Sequence, residues 1–338
     1  MTMWMVRAER KGILFDDFID RGLVAIGWGE AGDFTSNPDP ASILEAVQET
    51  YPDKSEGTNR IGASQIARFL TEPQIGDGVI TYSPDRRVYA VGRFTGPAQF
   101  DATAITRGDL YWPYIRTVDW TGELSRDDLS QKARYSLNAL LTLFKLRPFI
   151  ETEITALLAG VPLPVSPQTP TDDTSADTDD DSSPEDIELQ SLELIKDMIA
   201  RLSPEMMEHF VAGLLRAMGY QTRVSPIGPD RGQDILATPD ALGLEDPRIV
   251  VEVKHRKGAI GAPALRSFLG GRHPSDKGLY VSTGGFTKDA QYEADRASIP
   301  LRLMTLNDLV EHLVTHYEKL DLETRDMIPL KRIYWPLK

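Results

Sequence analysis

Residues 161–188 read VPLPVSPQTPTDDTSADTDDDSSPEDIE, a stretch dominated by Pro, Ser, Thr and Asp with almost no large apolar side chain after Val165. Such a segment cannot bury enough apolar surface to offset its chain entropy, and its like charges repel. The expectation is a disordered acidic linker over 161–188, with a domain on either side (1–160 and 189–338) that must build a core of its own. The same segment controls the charge argument. The chain of 338 residues carries a net charge of −14, which at first speaks against a phosphate-bearing partner. Yet residues 161–190 hold nine acidic and no basic side chains, whereas 191–338 hold 20 of each, so the C-terminal part is balanced and DNA is not excluded. Cysteine is absent, which removes disulfides, thiolate metal sites and cysteine nucleophiles together. No apolar run reaches the roughly 18–20 residues of a membrane span, and the opening MTMWMVRAERKG is charged where a signal peptide would be apolar. A cytoplasmic protein with no membrane partner is expected.

Short stretches rich in β-branched and aromatic residues recur in the N-terminal part: 23–28, 76–83, 87–96 and 114–120. Helical periodicity occurs around 41–51, 64–70 and 136–146. A small twisted sheet or β-barrel with helices packed on it follows, an α+β arrangement. The C-terminal part alternates helix and strand. Ser203, Pro204 and Glu205 form a helix start, and Met207, Phe210, Val211, Leu214, Leu215 and Met218 keep helical spacing until Gly219. Strands near 232–237, 248–255, 278–283 and 300–304 interleave with helices from Pro263, over 287–297 and over 305–316, which is an α/β pattern.

Two signals resemble chemistry and fail on context. Gly27, Gly29 and Gly32 match GxGxxG, but Pro38 and Pro40 follow where a dinucleotide site needs a helix. His312 and His316 are spaced for one helix face, but LVTH lacks the Glu of a zinc protease.

The strand RIVVEVKHR is more informative. Ile249, Val251 and Val253 point to one side, and Val250, Glu252 and Lys254 to the other. A carboxylate and an ammonium on an otherwise apolar strand are costly to bury unless they are used or paired. Seventeen residues separate Asp234 from Glu252, a length that suits a hairpin bringing the two carboxylates together. Asp234 and Glu252 would then hold Mg²⁺ through oxygen donors, and Lys254 would orient water or stabilise charge at a phosphate. A buried Glu252–Lys254 ion pair serves the same pattern equally well.

The segments SPEMMEHFVAGLLRAMGY, PDRGQDILA, VVEVKHRKG, KGLYVSTGGFTKDAQYEA and IPLRLMTLNDLVEHL, in this order, resemble the catalytic domain of Mrr-type restriction endonucleases in the PD-(D/E)xK nuclease superfamily. The resemblance implies that Asp234 is the metal-binding acid, Glu252 the second acid and Lys254 the catalytic lysine. It implies that Glu208 completes or supports the metal site, although a solvent-facing role is equally open. Asp230 reads first as a turn residue, Gly232 as a tight approach to the strand, and Ser282 and Thr283 as strand-end hydroxyls within reach of phosphate. Residues 1–120 resemble EVE and related PUA-like domains through MWMVRAERKG, SQIARFL, QIGDGVITYSPDRRVYAVGRFTGP and YIRTVDW. That resemblance implies a flipped, modified base held between aromatic rings, with Trp28, Tyr82, Tyr111, Trp112 and Trp120 as candidates and Ser64 and Gln65 reading the base edge. Core packing is the alternative for each aromatic, above all for Trp4 and Trp120.

The combined expectation is an α/β PD-(D/E)xK nuclease domain joined by the acidic linker to an α+β or β-barrel PUA-like domain. Its function would be modification-dependent cleavage of double-stranded DNA with Mg²⁺, in a restriction role, by a homodimer. A reader protein with an inactive nuclease domain and an RNA-directed nuclease are the alternatives.

Overall fold

Residues 2–139, 141–161, 184–225 and 233–334 are described by a computed structural model, and they fall into two units, Met1–Gln190 and Ser191–Lys338. The first unit runs β1 (Met3–Val6), α1 (Phe15–Arg21), β2 (Leu23–Ile26), α2 (Pro40–Thr50), α3 (Glu56–Thr71), β3 (Gly78–Ser83), β4 (Val88–Phe94), β5 (Gln99–Phe100), β6 (Thr106–Arg107), β7 (Leu110–Tyr111), β8 (Tyr114–Ser125), α4 (Gln131–Leu137), β9 (Leu143–Lys145) and α5 (Pro148–Leu158). Its main sheet has the order β2-β8-β4-β3-β1-β9, with β5 also on β8. The described strands thus form an open path from β2 to β9 rather than a closed barrel.

Period-two alternation distributes the side chains of this sheet between two cores. Trp4, Val6, Val79 and Ala90 face Phe18, Ile43, Val47, Ile66 and Phe69 of α1–α3. Met5, Ile80, Tyr89 and Val91 face Ala133, Leu137, Ile150 and Ile154 of α4 and α5. The 12-residue β8 bends where its register with β4 slips, Val91 facing Gly122 and Gly92 facing Trp120. A Cβ on Gly92 would lie 2.5 Å from the Asp119 carbonyl oxygen, so only glycine fits the bend. Buried Arg116 of β8 donates to the Phe69 and Leu70 carbonyls near the end of α3, which ties helix to sheet. Burial lowers its pKa to about 10, and it remains a cation beside the negative end of that helix.

One expected helix is absent. Over 136–146, α4 stops at Leu137 and Leu143–Lys145 pairs antiparallel with β1. A short apolar run reads alike as buried helix or buried strand, and pairing decides it here. The last five residues of the expected disordered linker, 184–188, are also helical. Residues 162–183 lie outside the described residues, but α6 (Pro184–Ile199) is helical from a proline at its first position and so takes in 184–188. The acidic run masks a helical spacing that Leu192, Ile195 and Ile199 bury.

In the second unit α6 is followed by α7 (Pro204–Ala217), β10 (Gln221–Val224), β11 (Ile235–Thr238), β12 (Ile249–Lys254), α8 (Ala262–Leu269), β13 (Lys277–Ser282), α9 (Lys288–Asp295), β14 (Leu301–Thr305), α10 (Leu306–His316) and α11 (Leu322–Met327). The sheet order is β10-β11-β12-β13-β14, antiparallel from β10 to β12 and parallel from β12 to β14. Ile235, Val251, Val253 and Val281 pack on α7 and α10, while Val250 and Tyr280 pack on Leu265, Phe268 and Ala290 of α8 and α9. The Ser203 hydroxyl accepts the Met206 N–H and starts α7 as its sequence indicates.

Helix α7 meets α11 closely at Gly213. A Cβ there would sit 2.0 Å from Thr324 Oγ1, itself fully buried and bonded to Asp321. Gly213→Ala should therefore cost about 1–3 kcal/mol by overpacking, read as a lower melting temperature. Thr324→Ala in the same chain should recover part of that loss; strictly additive losses in the double variant would show that the two sites do not touch.

Candidate active site

The antiparallel ladder between β11 and β12 pairs Ile235 with Val251 and Leu236 with Val250. Extended by one residue, it sets Asp234 opposite Glu252. The backbone completes the arrangement: Asp234 N–H donates to the Val251 carbonyl at 2.9 Å, and Val253 N–H donates to Asp234 Oδ2 at 2.6 Å. The Asp234 side chain thus takes the place of a backbone acceptor just beyond β11. Asp234 is 7% exposed and Glu252 8%. Lys254 Nζ lies 2.7 Å from Glu252 Oε1, with the lysine side chain 37% exposed at the end of β12.

Tyr280 joins this group from β13. It faces Glu252 in the parallel register, and its hydroxyl donates to Glu252 Oε1 at 3.4 Å. Burial, reinforced by Glu252, pushes the Tyr280 phenol well above its usual range, so it stays a neutral donor. Glu208 of α7 contributes repulsion at Asp234 through its charge. Sequence pattern alone does not single out Tyr280, although it lies two residues from Ser282 on one face of a strand. His255 was also missed. Its Nε2 contacts the Leu202 carbonyl at 2.8 Å and its Nδ1 the Thr283 hydroxyl at 3.2 Å, joining the start of α7 to the ends of β12 and β13. A carbonyl can only accept, so Nε2 carries the proton. Thr283 is engaged in this bridge, and Ser282 is fully buried. Asp230 and Gly232 lie outside the described residues.

Among the described residues no group of three or more His, Asp or Glu side chains is gathered as a metal cluster, so the set is the carboxylate pair with Glu208 nearby. Asp234 Oδ1 and Glu252 Oε2 take no hydrogen bond among the described residues. Two such hard oxygen donors fit an ion like Mg²⁺, which keeps several waters and takes one or two carboxylates.

The base-reading set expected in the first unit does not assemble as a whole. Trp28 and Trp112 come to one end of the sheet: the Trp112 indole lies against Gly27, and Tyr111 and Pro113 lie against Gly29. Trp28 adopts a left-handed backbone (φ 69°), and its ring rests on Gly62 of α3, where a Cβ would come within 2.6 Å. Tyr51 meets that ring edge-on at 5.2 Å, and the Lys54 ammonium stands 4.3 Å from its centroid. Trp112 is buried, and its Nε1–H donates to Glu9 Oε2 at 2.9 Å. Glu9, like Trp28, has a positive φ, 63°. Tyr82 is a correction: alternation along β3 turns it to the opposite core, where it stacks on Tyr89. Gln65 is another: it is buried, and its amide oxygen accepts Leu143 N–H at 2.6 Å, so its acceptor is spent on β9. Ser64 is exposed on the outer side of α3 between Arg60 and Arg68, on a groove with Pro40 and Leu44. Tyr111 is half-buried beside Gly29, and Trp120 and Trp4 are core residues, their indoles donating to the Phe18 carbonyl and to Asp77.

Burial, with repulsion from Glu208 and Glu252, pushes the Asp234 carboxyl up to about 6, against the pull of the Val253 amide and Lys254. Its folded pKa is thus raised above the unfolded value, so the charged form is a burden on the fold above about pH 6 that is fully relieved below about pH 4. Asp234→Asn should keep the acceptor for Val253 and remove the charge. The variant should gain up to about 3 kcal/mol over the native chain at pH 8, shrinking to nothing near pH 4. Paired denaturant titrations at the two pH values check this; a variant less stable at pH 8 would contradict it.

Residues 199–313 match the family model Mrr_cat, restriction endonuclease, and residues 4–147 match a domain of unknown function, DUF8426. No match to a curated protein is found. Two solved structures are similar at low superposition. The MspJI restriction endonuclease in complex with a 27-mer oligonucleotide is 12% identical, with 96% of this chain and 79% of that one covered and a TM-score of 0.30. The DNA modification-dependent restriction endonuclease AspBHI is 16% identical, with 85% and 71% covered and a TM-score of 0.31. At those TM-scores neither likeness bears on this chain's architecture. The family match stands by itself, and it spans the strands that carry Asp234, Glu252 and Lys254: the C-terminal unit carries, over residues 199–313, an Mrr_cat restriction endonuclease domain.

Proposed function

We propose that the chain is a modification-dependent, type IV-like DNA endonuclease. Its C-terminal unit hydrolyses phosphodiester bonds with Mg²⁺, and its N-terminal unit senses an altered, flipped base. The observation that carries the reading is the pairing of Asp234 with Glu252, Lys254 beside them, inside the stretch similar to restriction endonucleases. Asp234 and Glu252 are the residues that hold the ion, and Glu208 adds negative charge near Asp234. When bound, Mg²⁺ supplies charge neutralisation at the scissile phosphate and a more acidic water. Lys254, with its ammonium at the exposed end of β12, orients the attacking water and stabilises charge on the phosphate oxygens. Cutting both strands of a duplex takes two such centres, so a homodimer is the working assembly.

In the N-terminal unit the reading rests on the EVE-like segments of residues 1–120 and on Trp28. A tryptophan in a left-handed backbone conformation is strained, and such strain gathers at functional positions. Its ring, with Tyr51 beside it, offers the flat apolar surface on which an extruded base stacks. With Gln65 and Tyr82 committed elsewhere and Trp112 buried against Glu9, Trp28 is the base-binding residue retained, and Ser64 reads the edge only of a nucleotide in its own groove.

One plasmid prepared unmodified, with 5-methylcytosine and with 5-hydroxymethylcytosine tests both units. Cutting confined to modified DNA and requiring Mg²⁺ is expected. Asp234→Ala should abolish it, and Lys254→Ala should slow it by about 10²–10³-fold while binding is retained. Cutting by the Asp234→Ala protein would remove the assignment of the centre. Trp28→Ala should cut the preference for modified over unmodified DNA about tenfold, in line with the loss of one stacked base. An unchanged preference would remove Trp28 from base recognition.

A further inference from the structure

Helix α10 ends at His316, and His312 lies one turn earlier on the same face. Their imidazole rings stand side by side, with centroids 6.4 Å apart and planes 28° from parallel. Both residues are half-buried, and neither side chain takes a hydrogen bond or an ion pair among the described residues. The other histidines of the chain are placed differently. His255 bridges Leu202 and Thr283, His273 Nδ1 meets the Ser275 hydroxyl at 2.8 Å, and His209 stands exposed on α7. An imidazolium is favoured beside the negative end of a helix, which accounts for His316. It does not account for His312, because a second positive charge one turn away is repelled. Neutral rings avoid that repulsion, and each then carries a nitrogen lone pair with no donor to meet it.

Two such lone pairs on one face of a helix suit a transition-metal ion. With Zn–N distances of about 2.0–2.1 Å, the centroids of two bound rings lie about 5 Å apart at the tetrahedral angle. Rotation about the side-chain bonds covers the gap from the observed spacing. The intervening Leu313, Val314 and Thr315 lack the glutamate of a zinc protease, which excludes that hydrolysis and leaves ligation untouched. We propose that His312 and His316 form a two-imidazole site for a divalent ion of the Zn²⁺, Ni²⁺ or Cu²⁺ class, separate from the carboxylate pair. Imidazole nitrogen suits these ions, whereas Mg²⁺ and Ca²⁺ take oxygen donors. Water fills the remaining positions of the ion. The ion fastens the last turn of α10 where the chain passes into the turn Tyr317–Lys319 and then α11, whose Thr324 packs on Gly213 of α7. The site stands or falls independently of the nuclease reading.

Zn²⁺ titrated calorimetrically into the EDTA-cleared full-length chain, with Mg²⁺ in large excess, should bind at one ion per chain. His312→Gln and His316→Gln should each raise the midpoint about tenfold or more, because losing one ligand turns chelation into single-point binding. Without metal both variants should melt near the native temperature, since each loses a half-buried ring with no polar partner. With Zn²⁺ the native melting temperature should rise and those of the variants should not. His209→Gln should behave as the native chain. Electron paramagnetic resonance of the native chain with one equivalent of Cu²⁺ should show splitting from two imidazole nitrogens. Fewer than two nitrogens overturns the proposal whatever the variants do. A native Zn²⁺ midpoint in either histidine variant also overturns it. So does Zn²⁺ binding that both histidine variants keep and Asp234→Asn loses, which would put the ion at the carboxylates, and so does a native chain that binds no Zn²⁺.

Discussion

One hydrogen bond organises the C-terminal unit: the backbone amide of Val253 donating to the side chain of Asp234. Residue 234 stands just before β11, and its side chain there takes the amide of the facing strand. The carboxylate is thereby fixed opposite Glu252 on a central strand. Everything else at the centre is built outward from that point: Lys254 onto Glu252, Tyr280 onto the same oxygen, and His255 drawing the start of α7 to the strand ends. The cost is a buried negative charge flanked by two more, which is why the Asp234 carboxyl is so reluctant to ionise. A fold that tolerates this keeps its charges poorly matched at rest, a condition a cation would relieve.

Much of this centre was legible in the chain. The alternation of RIVVEVKHR places Glu252 and Lys254 on one side without any structure, and the spacing to Asp234 anticipates the hairpin. Legibility ended where chemistry came from pairing order. Tyr280 reaches Glu252 because β13 lies parallel to β12 in a particular register, and no local pattern encodes that register. His255 was invisible for a similar reason, since its partners are 28 and 53 residues away.

The first unit shows the same boundary more sharply. Helix α3 runs from Glu56 to Thr71, yet only its second half, 64–70, reads as helical, because Gly57, Thr58 and Gly62 are poor helix formers. Gly62 is retained because the Trp28 ring occupies the space a side chain would fill. Gln65 read as a polar reader of bases and is instead buried, completing the end of a strand that itself read as a helix. Tyr82 and Trp28 both looked like stacking surfaces, and only the alternation of β3 within the assembled sheet separates them. The errors share a cause: composition shows which residues have useful chemistry, and topology decides which of them meet.

The ammonium of Lys54 stands over the rings of Trp28 and Tyr51, 4.3 and 4.8 Å from their centroids. The aromatic surface is therefore not bare in this protein; a cation already covers it. Any flat ring that settles on Trp28 must first evict that charge, so occupancy is an exchange and not an addition. The evicted lysine sits on an exposed segment and carries a long flexible stem. Ring stacking and the release of a mobile cation are thus one coupled event, and added salt, by competing for that cation, would change the affinity of even an uncharged guest.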